Sequence, residues 1–206
     1  MEKFTQLEGT AAPIMRQNIN TDVIIRVERL RDLPKGELGP YAFESWRYDL
    51  AGKENPDFIL NRETYRDAEI IQSADNFACG SSREMAVWAL QDFGIRCVIA
   101  PSFGQIFFNN CFQNGMLPVV MPLEDIEAMV KEVEQSQGTA KIKVDLEKQM
   151  VTTPGGKEIP FALDNIRREG LLLGLDHIDQ TMQHDAEIVA FQTKDREQYP
   201  WIYGRG

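Results

Sequence analysis

Histidine and cysteine are scarce in this chain. His177 and His184 are the only histidines among 206 residues, and Cys79, Cys97 and Cys111 are the only cysteines. The histidines fall in no metal-binding spacing, and no Cys-x-x-Cys pair is present. Three widely spaced cysteines also make no disulfide framework, which fits a reducing, cytoplasmic setting. Cys97 sits in an apolar run and reads as a small core residue. Basic charge is short as well: 22 Lys and Arg stand against 32 Asp and Glu, for a net charge of −10. That balance argues against nucleic acid and against an anionic membrane surface, although local arginines can still hold a small anion. No apolar run reaches the roughly 18 residues that a membrane-spanning helix needs. The first residues, Met1-Glu2-Lys3-Phe4-Thr5-Gln6, have no apolar signal segment.

With 43% hydrophobic residues, the chain can bury one sizeable core, and residues 1–206 read as a single domain. Its most informative stretch is Asp75-Asn76-Phe77-Ala78-Cys79-Gly80-Ser81-Ser82-Arg83-Glu84. A short strand is expected over 69–73, and a helix over 83–93 ending at Gly94 in the C′ position. Ser81 and Glu84 have capping-box spacing. Free N–H groups at the helix start, with the charge of Arg83, would hold a small carboxylate. A cap with no ligand is the plainer alternative for this pattern taken by itself.

Around that stretch the chain is read as follows. Residues 10–12 suggest part of an edge strand. The polar turn Asn18-Ile19-Asn20-Thr21-Asp22 leads to Val23-Ile24-Ile25, whose β-branched run predicts a strand. Residues 26–66 look irregular, with Arg26, Arg29, Arg31 and Lys35 crowded together. They form either a solvated loop or a mobile flap over a carboxylate substrate, the flexible part being 26–40. Tyr41, Phe43, Trp46, Tyr48 and Phe58 should anchor this segment. Strands at 96–100 and 117–121 and a helix at about 104–113 complete a strand–helix–strand–helix–strand series, hence a parallel sheet with its ligand at the carboxyl end of the first strand. A helix over 122–136 should bury Leu123, Ile126, Val130 and Val133. A hairpin or meander follows over 141–161, then helices near 163–172 and 184–194. The aromatic end, 195–206, shows neither helical nor strand periodicity.

Several of these stretches resemble one family in the right order. Asn20-Thr21-Asp22-Val23-Ile24-Ile25, the 75–84 stretch, Val98-Ile99-Ala100-Pro101-Ser102-Phe103, Asn114-Gly115-Met116-Leu117-Pro118-Val119 and Gly174-Leu175-Asp176 together are similar to the swivelling domain of the aconitase superfamily. The combination resembles its leucine-pathway members, the small subunits of 3-isopropylmalate dehydratase. The resemblance implies an α/β fold, a swivelling β/β/α three-layer domain with a partly parallel sheet. It also implies a hydro-lyase active only with a large subunit that carries a [4Fe–4S] cluster, this chain binding none, and a small hydroxy-diacid substrate.

By the same resemblance Ser81 is the base that takes the proton alpha to a carboxylate, Arg83 grips a carboxylate, and Asp22 orients a group in the shared site. Ser82 and Thr21 contribute substrate hydrogen bonds, and Lys35 or Arg31 supplies the cation of the flap. The chain departs from the family in having Met85 where His is usual, Arg26 where Pro is usual, and Lys35 near a usual Arg. A related dehydratase acting on another malate- or citrate-type acid therefore stays open, as does a non-catalytic binding domain.

Overall fold

The computed structural model describes residues 1–80 and 83–203. Its strands are β1 (Gln6–Ile14), β2 (Ile70–Ser73), β3 (Cys97–Ala100), β4 (Leu117–Val120), β5 (Lys141–Asp145), β6 (Met150–Thr152) and β7 (Glu158–Pro160). Among the described residues they form one seven-stranded sheet in the order β4-β3-β2-β1-β5-β6-β7. The half from β4 to β1 is parallel, and the half from β1 to β7 is antiparallel. The helices are α1 (Thr21–Ile24), α2 (Val27–Asp32), α3 (Glu44–Arg47), α4 (Met85–Phe93), α5 (Gln105–Asn114), α6 (Leu123–Gln135), α7 (Asn165–Leu173), α8 (His177–Met182), α9 (Asp185–Gln198) and α10 (Pro200–Tyr203). This is the expected α/β fold with a partly parallel sheet.

The parallel half follows from short apolar runs. Every residue of β2 and β3 is buried, as strands covered on both faces require. Gly94 and Gly115 close α4 and α5 with left-handed φ values of 117° and 80°. In α6 the buried stripe is Ile126, Met129, Val130 and Val133, close to the expected set.

Three expectations are corrected. Residues 10–12 lie in the central strand, not at an edge. Ala12 pairs with Ile71 on one side and Gly9 with Ile142 on the other, and Ala11 and Ala12 are fully buried. Residues 23–25 belong to or follow a helix, not a strand. The Asn20 side chain accepts the Asp22 N–H at 2.6 Å and so caps α1, which outweighs the β preference of Val23 and Ile24. Ile24 and Ile25 are fully buried all the same, so the apolar pattern marks core even though the local conformation differs. Residues 195–198, at the end of α9, and 200–203, in α10, are helical where no periodicity pointed to helix.

Residues 26–66 carry more structure than their composition suggests. Phe43, Trp46 and Phe58 form a ring cluster with centroids 5.7–5.9 Å apart. Buried Arg47 donates Nε to Asn61 Oδ1 at 3.0 Å, and burial pushes its guanidinium pKa down. The 26–40 stretch includes α2 and is tied to the body. Arg29 pairs with Glu44 through Nε at 3.1 Å, and Asp92 Oδ2 accepts the N–H groups of Gly36 and Leu38 at 2.8 and 3.0 Å.

Candidate active site

The loops that leave β1, β2 and β3 meet at the carboxyl end of the parallel half-sheet, where a ligand is expected in an open α/β sheet. The middle loop, residues 75–80, is gripped from both sides. On the β1 side, Asn18 N–H donates to Asp75 O, Cys79 N–H to Ile19 O and Thr21 N–H to Cys79 O, at 2.9–3.0 Å. Asn76 Nδ2 also donates to Asn18 Oδ1 at 2.7 Å. On the β3 side, Phe77 N–H donates to Ser102 O at 3.0 Å, and Gly104 N–H returns to Phe77 O at 2.8 Å. Ser102 Oγ accepts the Asn76 N–H at 2.8 Å. Below, Phe77 packs edge-on against Phe103 and Phe107. These contacts hold Asn76 and Ala78 in left-handed conformations, φ 61° and 55°, that an L residue keeps only when its surroundings over-determine it.

Gly104 is essential to this grip. A Cβ at that position would lie 2.3 Å from the backbone oxygen of Ala78, and neither backbone can yield cheaply. Gly104→Ala should therefore displace residues 77–80 and cost about 1–3 kcal/mol of stability. A thermal melt should show a Tm lower by several degrees. An unchanged melt would show that the loop is not clamped as described.

The loop delivers Arg83 to Asp22. Its guanidinium Nη1 donates to Asp22 Oδ1, joining residues 61 positions apart in sequence. Arg83 is 22% exposed and Asp22 52% exposed, so the pair stands at the surface and not in the core. Asp22, Arg26 and Ser45 line an open hollow of about 280 Å³ beside it. Asp22 takes a single nitrogen of the guanidinium, and the planar fork has further N–H donors with which to meet an incoming carboxylate.

The remaining candidates are distributed as follows. Ser81 and Ser82 lie outside the described residues. Thr21 is fully buried beneath the loop. Helix α4 starts at Met85, and the described carboxylate of Glu84 makes no N-terminal cap. It accepts instead from Asn114 Nδ2 at 2.7 Å. Asn114 Oδ1 takes Lys35 Nζ and Trp88 Nε1, both at 2.9 Å, and Lys35 stacks 5.3 Å over the Trp88 ring. Lys35 is thus linked through Asn114 to the residue next to Arg83. Arg31 is not brought in: it pairs with its neighbour Asp32, and its side chain is 83% exposed. In sequence Asn114 opens one of the stretches that carry the family resemblance, with no role attached to its side chain. Nothing local shows that its side chain bridges α4, α5 and the 26–40 segment.

No group of three His, Cys, Asp or Glu side chains among the described residues could hold a metal. Cys97 and Cys111 are buried, and desolvation pushes both thiols well above their ordinary pKa, the wrong direction for a thiolate ligand. Cys79 alone is partly exposed. The described residues do not fit an iron–sulfur cluster. No helix among the described residues is long and apolar enough to cross a membrane.

Residues 1–124, the parallel sheet with its three loops, match the model of the Aconitase C-terminal domain. The arrangement is therefore that of an aconitase-superfamily hydro-lyase component. The LeuD_N model matches residues 127–165, and the model of the C-terminal domain of the 3-isopropylmalate dehydratase small subunit matches 178–205. The 3-isopropylmalate dehydratase small subunit of Gluconobacter oxydans is 51% identical over 98% of this chain and 96% of its own length. That of Parvibaculum lavamentivorans is 48% identical over 98% of this chain and all of its own. A crystal structure of 3-isopropylmalate dehydratase from Methanocaldococcus jannaschii shares the fold, with a TM-score of 0.63 at 24% identity over 92% of this chain and 99% of that one. The chain belongs to the family of 3-isopropylmalate dehydratase small subunits.

Proposed function

We propose that this chain is the small subunit of a hydro-lyase that interconverts 2-isopropylmalate and 3-isopropylmalate by loss and re-addition of water in leucine biosynthesis, and that it acts only with a large subunit. The observation that carries this reading is the Arg83–Asp22 pair, an accessible guanidinium at the carboxyl end of the sheet, in a chain half identical to proteins of that name. Dehydration removes a proton from a carbon beside a carboxylate and hydroxide from the next carbon. Arg83 offers the charged, planar fork that holds and polarises such a carboxylate. Ser81 takes the proton, and the cation of Arg83 stabilises the negative charge that the serine needs in order to act as a base.

Asp22 keeps the guanidinium turned toward the open face. Lys35, through Asn114 and Glu84, steadies the helix start beside it. Thr21, buried below, holds the backbone of the loop, and Ser82 offers one more hydroxyl. A [4Fe–4S] cluster belongs to the large subunit in this proposal and supplies Lewis acidity there.

A substrate panel on the co-purified pair tests the reading. Isopropylmalate should give the highest kcat/KM among malate- and citrate-type hydroxy acids, and this chain alone should be inactive. A higher kcat/KM with another acid of the panel would move the chain to a related dehydratase. No turnover with any acid would favour the non-catalytic binding domain.

A further inference from the structure

The C-terminal helices are dressed for contact but touch little of their own chain. None of the residues of α8, α9 or α10 is buried. Ile178, Met182, Val189, Phe191, Trp201 and Ile202 are each more than half exposed. On the body, exposed Ile166 and Leu173 of α7 line an open groove shared with α8. Helix α9 spans 14 residues. An unpacked helix of that length is marginal in water, so its persistence calls for a covering surface.

The nature of the cover follows from how the chain divides. Residues 1–124 match a domain described as the C-terminal part of aconitase, joined covalently to the rest of its protein, whereas 178–205 match a segment described for a separate small subunit. A covalent link keeps its two parts at an effective concentration of about millimolar. A free subunit must replace that link with affinity, and the added segment holds more than half of the exposed large apolar side chains among the described residues. A second copy of this chain is the poorer occupant, because each copy carries a net charge of −10 and the two would repel.

We propose that α8–α10 form the docking arm by which this chain holds the large subunit. The proposal rests on the small-subunit reading above. It is tested with full-length Phe191→Asp and Trp201→Asp chains titrated against the large subunit by calorimetry. Each should raise Kd by about tenfold or more, as loss of a buried aromatic anchor does. The Tm of the chain alone should not change, and kcat should recover when the variant is supplied in excess. Leu50→Asp, at another fully exposed apolar position, should leave Kd unchanged.

Unchanged Kd in both arm variants, with the wild type binding normally, overturns the arm alone. So does sedimentation showing a wild-type homodimer that the variants dissolve without loss of large-subunit binding. A wild-type chain that does not bind the large subunit overturns both the arm and the parent reading.

Discussion

Ser81→Ala in the assembled enzyme should lower kcat by about 10²–10⁴-fold, the usual contribution of a positioned general base. KM should change little, and both Tm and subunit affinity should stay at the wild-type value. The separation is expected because the serine has a different task from its surroundings. Cys79, two residues before it, is fixed by hydrogen bonds to Ile19 and Thr21, and Arg83, two residues after it, is fixed by Asp22. These flanking contacts are made by other residues and should survive loss of the Ser81 hydroxyl. On the proposed roles Arg83 binds the substrate carboxylate and Ser81 accepts the proton, so what disappears is the proton acceptor. Turnover within a few-fold of wild type would remove Ser81 as the base and would point to a group of the large subunit. A matching fall in Tm would instead mean that the hydroxyl is structural.

Much of this site is legible in the sequence because it is local. The 69–73 strand, the small-residue turn and the helix beginning near Arg83 follow from apolar runs and turn chemistry within a few residues of each other. Arg83 and Asp22 could each be named, but their contact could not be derived from spacing. It depends on the parallel pairing of β1 with β2 and on the Asn20–Cys79 bridge, which join distant segments. The same limit explains the central placement of 10–12. The partners of β1 near Ile70 and Lys141 leave no mark on Thr10-Ala11-Ala12 itself. Residues 23 and 24 fail for a different reason: a single cap from Asn20 outweighs two β-branched side chains, and propensity yields to context. The arrangement of Lys35 with Asn114 and Trp88 also lay beyond local reading, because it assembles side chains from three separate elements.

Arg83→Lys should lower kcat/KM by about 10–100-fold, because exchanging a planar fork for a point charge loses a charge-assisted hydrogen bond of roughly 1.5–3 kcal/mol. Stability should hardly move. With one partner about half exposed, the Arg83–Asp22 pair contributes roughly 0.2–1 kcal/mol to folding at most. The same pair should therefore matter far more to catalysis than to the fold, and a thermal melt beside the kinetics separates the two. Asp22→Asn tests the other partner. It leaves a hydrogen-bond acceptor but removes the charge that orients the guanidinium, so KM should rise several-fold, and Asp22→Glu should recover part of the loss. If Asp22 acts through Arg83, the double variant should be less impaired than the two single losses combined, since the second substitution finds the contact already broken. Strictly additive losses would mean that Asp22 meets the substrate or the large subunit independently, and that its contact with Arg83 is incidental to turnover.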